Sequence, residues 1–136
     1  MKQIIFGRTN AKVSTISLGT WSYGGGNVSG GRSVGWADQS DTDSREALIQ
    51  AWKSGINHWD TADVYGNGRS ETIIGNIWNT VPRNDIFLAT KVGWDMGGFD
   101  YYYHPKMIRE HLDLSLKNLK TDVIDLYYFH HCNFDS

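Results

Sequence analysis

The sequence predicts an α/β fold built around a parallel β-sheet, and three features support this class. Apolar runs of strand length alternate with segments whose apolar residues recur at helical spacing. The runs are apolar on both faces, which is typical of parallel strands that helices cover on both sides. Each run is also separated from the next by enough residues for a helical crossover. A (β/α) barrel and a doubly wound sheet both satisfy this pattern, so the pattern alone leaves both open.

The first twenty residues predict a small hairpin followed by a strand. Ile4 to Phe6 and Val13 to Ile16 are β-prone runs, and Gly7-Arg8-Thr9-Asn10 between them has the composition of a turn. Ile16 to Gly19 is short and reads as a strand that ends at its glycine. The hairpin therefore precedes the first strand of the main sheet.

Residues 22–42 predict a long loop, because they contain six glycines and little periodic pattern. One interpretation is a flexible connector. The other is a loop whose aromatic residues, Tyr23 and Trp36, cover a pocket, since long loops are often functional. No glycine pattern here matches a phosphate-binding loop between a strand and a helix.

Helices and strands alternate over the rest of the chain. Asp41 or Thr42 is expected to cap the first helix, which Gly55 ends, and Ser70 is expected to cap the second. Pro105 suits the first position of the third helix. The expected strands are Ile56 to Asp60, Ile86 to Lys91 and Val123 to His130, and the expected apolar stripes of the helices are Ala47, Leu48, Ala51 and Trp52, then Ile73, Ile74, Ile77 and Trp78, then Ile108, Leu112, Leu116 and Leu119.

Three successive strands end in a polar residue of a different chemical type, namely Asp60, Lys91 and His130. Parallel strands direct their carboxyl ends to one edge, and neighbouring strands lie roughly 4.8 Å apart, so these side chains can converge. Alone, each has an ordinary structural explanation: a turn cap, a lysine that reaches solvent, or a hydrogen-bonded histidine. Three complementary types on consecutive strands favour a functional site at that edge.

Tyr65 lies five residues after Asp60, in a loop above the same edge. It is either a packing aromatic or an acid. An ammonium beside a phenol favours the ionised form, so Lys91 can tune Tyr65 while Asp60 holds Lys91 in place. Such a set suits protonation of a carbonyl oxygen while a hydride arrives at carbon, with His130 either orienting the substrate oxygen or assisting proton movement.

Composition excludes several classes of protein. The formal net charge of −2 argues against a nucleic-acid binder, and no stretch reaches the roughly 20 apolar residues of a membrane span. Cys132 is the only cysteine, so no internal disulfide or zinc ribbon is possible, and His130-His131-Cys132 has no further ligands at metal-site spacing. We expect a cytoplasmic protein with no metal.

Several segments together resemble the aldo-keto reductase family. Residues 60–71, Asp-Thr-Ala-Asp-Val-Tyr-Gly-Asn-Gly-Arg-Ser-Glu, are similar to its D-T-A-x-x-Y-G-x-x-x-S-E signature. Residues 89–93 resemble its lysine strand, and residues 125–130 its D-L-Y-x-x-H segment. Gly7-Arg8-Thr9 and Leu18-Gly19-Thr20-Trp21 also resemble the family, so the likeness extends along the chain in family order.

The resemblance implies a (β/α)8 TIM barrel and the reduction of aldehydes or ketones with NADP(H). It implies a catalytic tetrad of Asp60, Tyr65, Lys91 and His130, with Tyr65 as the general acid. His130 is preferred to His131 by its place in the segment. The resemblance also places Gly19, Thr20 and Trp21, together with Asp60, near the cofactor and substrate, and the opening hairpin at the bottom of the barrel.

Length departs from the family pattern, because such barrels have eight strands in about 250 residues. We expect residues 1–136 to be the N-terminal half, with about four strands and the hairpin. In the isolated chain the inward-facing residues below Lys91 and His130 would face water, namely Phe87, Ile124, Leu126 and Tyr128. The chain would also lack the cofactor phosphate site, self-associate and show no useful turnover. Alternatives are a regulatory subunit on the same scaffold, similar to potassium-channel β subunits, and a half-barrel that serves only in assembly.

Overall fold

The computed structural model describes residues 1–29, 31–94, 96–132 and 134. Within them helices and strands alternate over residues 41–129, as the sequence predicts, and two further strands precede the first helix. The strands are β1 (Gln3–Ile5), β2 (Lys12–Ser14), β3 (Ser17–Gly19), β4 (Gly26–Ser29), β5 (Arg32–Gly35), β6 (His58–Asp60), β7 (Phe87–Val92) and β8 (Leu126–Phe129), and the helices are α1 (Asp41–Lys53), α2 (Arg69–Gly75) and α3 (Pro105–Leu119).

The main sheet is parallel, with the strand order β3-β6-β7-β8. Gly19 pairs with Asp60, and Asp60 pairs with Ala89 on the next strand. Lys91 pairs with Tyr128, two residues before His130. The strands therefore end at one edge, which we call the upper edge, and the sheet has its open sides at β3 and β8.

The opening hairpin covers the lower ends of the strands. β1 and β2 pair antiparallel, and the ring of Phe6 lies 5.4 Å from Phe87 and 5.2 Å from His58 between ring centroids. Phe87 is consequently only 8% exposed. The prediction that Phe87 would face water in the isolated chain is therefore wrong. Ile124, Leu126 and Tyr128, expected to be exposed with it, are half-buried.

Helices and sheet share one core beneath the upper edge. Trp59 on β6 is fully buried, stacks on Trp78 at 6.0 Å and donates its Nε1–H to the carbonyl of Ile56 at 3.0 Å. A partnered indole N–H lets this large ring fill the core without an unsatisfied donor. The other buried residues of this core are Tyr23, Leu48, Ile73, Ile74, Ile77, Val81, Ile86, Leu88 and Leu119.

Two helix caps differ from those expected. Ser40 caps α1, because its hydroxyl accepts the backbone N–H of Asp43 at 3.0 Å, whereas Asp41 is already helical. Gly68 precedes α2 in a left-handed conformation, and Ser70 lies inside the helix, fully buried. The predicted stripe of α2 also extends beyond its end at Gly75, because Ile77 and Trp78 lie in the following turn.

Residues 22–42 are more ordered than the predicted loop. A 3₁₀ turn spans Trp21–Gly24, and β4 and β5 form an antiparallel hairpin. Tyr23, an expected pocket aromatic, is 6% exposed and belongs to the core. The glycines therefore allow tight turns within a folded segment.

The third helix begins as predicted. Pro105 occupies its first turn, and the His104 ring accepts the backbone N–H of Lys106 at 3.1 Å. β8 is shorter than predicted, because it begins at Leu126, while Val123 is 54% exposed. Among the described residues, no helix is long and apolar enough to cross a membrane.

Candidate active site

Lys91 is the centre of the polar cluster at the upper edge. Its Nζ donates to Asp60 Oδ1 at 2.6 Å, to the carbonyl of Thr61 at 2.8 Å and to the Tyr65 hydroxyl at 3.2 Å. Three acceptors match the three N–H donors of an ammonium. The Lys91 side chain is 16% exposed, so little solvent screens the ammonium from the phenol.

A close crossing of two backbone segments positions Tyr65. Gly66 adopts a φ of +63°, and a Cβ built there would overlap the carbonyl of Gly24 in the 3₁₀ turn. The carbonyl of Tyr65 accepts the N–H of Ser70 at 3.2 Å, which fixes the loop to the start of α2. Glycine at position 66 thus lets the loop pass close enough to place the phenol over Lys91.

Buried hydroxyls hold the segment after β3 against the end of β6. Thr20, fully buried, donates its hydroxyl to the carbonyl of Asp60 at 3.0 Å. Ser70 Oγ lies 2.8 Å from Thr20 Oγ1 and accepts the hydroxyl of Thr61 at 3.0 Å. This network brings Gly19, Thr20 and Trp21 beside Asp60 and explains why Ser70 is buried.

His130 reaches the same cluster from the neighbouring strand. Its ring lies 5.7 Å from the ring of Tyr65, edge to face, and its backbone N–H donates to the carbonyl of Val92 at 2.9 Å. Burial, followed by the charge of Lys91, lowers the pKa of His130. The imidazole is therefore neutral at pH 7.

His131 is turned towards a different partner. Its backbone N–H donates to the hydroxyl of Tyr103 at 3.0 Å, and that hydroxyl donates to the His131 carbonyl. The His131 Nε2 lies 3.3 Å from the carbonyl of Trp94. Of the two adjacent histidines, His130 is the one whose ring contacts Tyr65.

A pocket of about 220 Å³ opens beside Tyr65 and His130. Aromatic rings form much of its wall: Trp21 lies 6.2 Å from Tyr65, and Trp94 lies 5.0 Å from His130, between ring centroids. No Asp, Glu, Lys or Arg is among its described lining residues, which are Trp21, Asn27, Val34, Val64, Tyr65, Trp94 and His130.

Sequence reasoning missed the contribution of the β4–β5 hairpin to this pocket. Asn27 and Val34 line it, and Asn27 Nδ2 donates to the carbonyl of Val64 at 3.2 Å. The sequence did contain an indication of this hairpin. Gly30-Gly31 lies between Val28 and Val34, and paired glycines favour two-residue hairpin turns. Of the two loop aromatics, Trp36 is 53% exposed and contacts Trp21 at 5.8 Å.

Comparison with known proteins identifies the family to which the chain belongs. A model of the aldo/keto reductase family matches residues 15–136. The chain belongs to this family. It is 38% identical to the uncharacterized oxidoreductase YqkF of Bacillus subtilis (strain 168) over 96% of this chain and 39% of that protein. It is 34% identical to the NADH-specific methylglyoxal reductase of Escherichia coli (strain K12), over 96% of this chain and 42% of that protein.

A third relative is named as a channel subunit rather than as an enzyme. The probable voltage-gated potassium channel subunit beta of Oryza sativa subsp. japonica is 35% identical over 91% of this chain and 35% of that protein. The chain thus spans between 35% and 42% of the length of these three relatives.

Solved structures establish the barrel architecture. The thermostable aldo-keto reductase Tm1743, in complex with the inhibitor epalrestat, matches with a TM-score of 0.77 and 32% identity over 98% of this chain and 44% of that one. An aldo/keto reductase from Klebsiella pneumoniae in complex with NADP and acetate matches with a TM-score of 0.66 and 25% identity over 88% of this chain and 36% of that one. The parallel sheet therefore corresponds to part of a (β/α)8 barrel, and the doubly wound alternative is excluded.

Proposed function

We propose that this chain contributes the proton-donating side of an NADP(H)-dependent carbonyl reductase that converts aldehydes or ketones to alcohols. One observation supports this most directly: the Lys91 ammonium lies 3.2 Å from the Tyr65 hydroxyl and is held by Asp60 at 2.6 Å. A phenol beside a fixed, partly buried ammonium can release a proton and then persist as an ion. A packing tyrosine would need no such neighbour.

Each member of the tetrad has a distinct role in this proposal. Tyr65 donates its hydroxyl proton to the carbonyl oxygen of the substrate, and Lys91 stabilises the phenolate that remains. Asp60 holds the ammonium in place through a direct contact at 2.6 Å. His130, neutral and on the pocket wall, donates an N–H to the same oxygen and orients it for protonation.

The residues at the upper edge fit the reactive end of a nicotinamide cofactor. A Cβ built at Gly19 would meet no atom within 4 Å, and Trp21 is 47% exposed, so the end of β3 leaves space beside Tyr65. When bound, the reduced nicotinamide supplies the hydride to the carbonyl carbon. Gly19, Trp21 and Asp60 would border the ring on the side of this chain, whereas Thr20, which is fully buried, would hold this segment in place through its bond to the Asp60 carbonyl.

The choice of NADP(H) rests on one relative that was solved with NADP, whereas another is named as NADH-specific. The pocket lining in the described residues includes no basic side chain for a cofactor phosphate. We infer that residues 1–136 alone bind the cofactor weakly and turn over no substrate usefully. A cytoplasmic location stays a prediction from the sequence.

A regulatory subunit is the second candidate, because two of the relatives are probable potassium channel β subunits. Such a protein needs no proton donor, whereas Asp60, Tyr65 and Lys91 make a complete hydrogen-bonded set in this chain. The geometry therefore favours the reductase. The third candidate, a half-barrel used only in assembly, would not require these hydrogen-bonded residues either.

A turnover assay discriminates these functions. The 136-residue chain, and any longer protein that contains it, would be tested with NADPH and with NADH against a panel of neutral aldehydes and ketones. We expect carbonyl-dependent oxidation of NADPH by the longer protein and none by the chain alone. Cofactor binding by the longer protein without turnover on any substrate would favour the regulatory subunit.

A further inference from the structure

Three buried polar atoms near His130 have no hydrogen-bond partner among the described residues. They are Nδ1 of His130, Oδ1 of Asp63 and the hydroxyl oxygen of Tyr127. Leaving a buried polar group unsatisfied costs roughly 1–3 kcal/mol, so three together call for a common explanation. None of them belongs to the proton-donating set of Asp60, Tyr65 and Lys91.

Successive residues of β7 hold the backbones of Asp63, Tyr127 and His130 close to one another. Tyr127 pairs with Thr90 across the strands, the backbone N–H of Asp63 donates to the carbonyl of Lys91 at 3.3 Å, and that of His130 donates to the carbonyl of Val92. All three are thus anchored within one short stretch at the end of one strand.

The charges agree with this proximity. Burial, together with the Asp63 and Glu71 carboxylates, raises the pKa of Tyr127, so its hydroxyl remains a donor at any ordinary pH. The Asp63 carboxylate also raises the pKa of His130, although burial and Lys91 outweigh it and the ring stays neutral. The other Asp63 oxygen is 2.7 Å from Nδ1 of His111 on α3, which fixes the carboxylate in orientation.

We propose that Asp63 and Tyr127 are positioning residues, which act through one bound water to hold the His130 ring with its proton on Nε2. The water accepts the Tyr127 O–H and donates to Asp63 Oδ1 and to His130 Nδ1. Three partners are the usual number for a buried water, and they satisfy all three atoms. Because Nδ1 then accepts, the single ring proton lies on Nε2, the nitrogen that remains to face the pocket.

This inference rests on the proposed function in one respect only, namely that the Nε2–H of His130 orients a carbonyl oxygen. The arrangement itself concerns the resting chain and needs neither cofactor nor substrate. A fixed tautomer matters because the other one would present a lone pair to the carbonyl oxygen and repel it.

Nitrogen NMR on the chain with ¹⁵N-labelled histidine tests the proposal, with the His130 signal identified by its loss in His130→Gln. We expect the neutral ring to be protonated at Nε2 in the unmodified chain. Tyr127→Phe keeps the ring and removes the hydroxyl, so it should give a mixture of the two tautomers, as should Asp63→Asn. Tyr102→Phe is the matched control, since Tyr102, like Tyr127, packs against the small core of Val92, Tyr103 and Met107. Removal of its hydroxyl should change nothing.

An Nδ1-protonated ring in the unmodified chain would overturn the proposal, as would an unchanged tautomer in folded Tyr127→Phe. The far-ultraviolet circular dichroism of each variant shows whether it is folded. If Asp63→Asn loses its fold with its bond to His111, Tyr127→Phe decides alone. The tautomer of His130 can be as expected even if the turnover assay detects no reductase activity. The two proposals can therefore fail independently.

Discussion

At the scale of single residues, Lys91 determines the electrostatics of the site. Its ammonium binds Asp60 and Tyr65 directly, and its charge also reaches His130, whose pKa it lowers after the larger effect of burial. One partly buried cation thus contacts the phenol directly and helps to keep the imidazole neutral. The imidazole has the protonation state that a neutral orienting group needs.

Lys91→Met should raise the pKa of His130, because it removes a nearby positive charge at similar side-chain length. The pKa should stay below the ordinary value near 6.5, since burial remains. Histidine ¹⁵N shifts followed against pH measure this. Lys12→Met, an exposed change on the opening hairpin, is the control and should have no effect. An identical His130 titration in Lys91→Met would show that Lys91 does not act on this ring.

At the scale of elements, the site depends on a crossing between the 3₁₀ turn at Trp21–Gly24 and the loop that carries Tyr65. Arg69 strengthens the crossing, since its guanidinium donates to Asp41 Oδ1 and to the carbonyl of Gln39 at 3.0 Å. The segment before α1 is thereby tied to the start of α2. The loop that carries the phenol is held by neighbouring backbone rather than by its own sequence alone.

Gly66→Ala should destabilise the chain more than Gly7→Ala. Both glycines have a positive φ, of +63° and +53°, but a Cβ at Gly7 meets nothing within 4 Å, whereas one at Gly66 overlaps Gly24. Both variants carry the cost of a left-handed backbone at alanine. The difference between their unfolding free energies therefore measures the overlap at the crossing, which should cost about 1–3 kcal/mol. Urea unfolding of the two variants measures it. Equal unfolding free energies would mean that the segments do not cross so closely.

The sequence predicted the elements that follow strong local patterns and missed those that depend on contacts. The strand end at Asp60 was predicted because an apolar run stops there, and Pro105 marked the start of α3. β7 continues one residue past its predicted end at Lys91, to Val92. Ser70 was mistaken for a cap because its burial follows from Thr20, fifty positions away. The pocket residues Asn27 and Val34 lie on the β4–β5 hairpin, which was predicted to be a loop because of its many glycines.

At the scale of the whole molecule, the parallel sheet has open sides at β3 and β8. Phe129 on β8 is 52% exposed, and Leu126 and Tyr128 are half-buried. Unpaired backbone groups beside partly exposed apolar residues favour association with another chain. The hairpin protects the lower end of the strands through Phe6, but it does not cover β8.

We predict that the isolated 136-residue chain dimerises or aggregates. Leu126→Lys, which places a charge on β8, should reduce association, because charged side chains discourage pairing along a strand edge. Val28→Lys, the same charge change at a 64% exposed site on the β4–β5 hairpin, is the control. Light scattering measures both. A chain that is monomeric without substitution would contradict the prediction.

The central claim is that Tyr65, tuned by Lys91, is the proton donor of a carbonyl reductase, and one ratio of rates tests it most directly. Residues 1–136 would be joined to the remaining part of Tm1743 to complete a barrel, and turnover of an aldehyde with NADPH would be compared with that of the Tyr65→Phe variant. We predict a loss of about 10²-fold or more with unchanged cofactor affinity, the usual range for removing a general acid. A folded, cofactor-binding barrel whose turnover stays within a few-fold after Tyr65→Phe would contradict the claim.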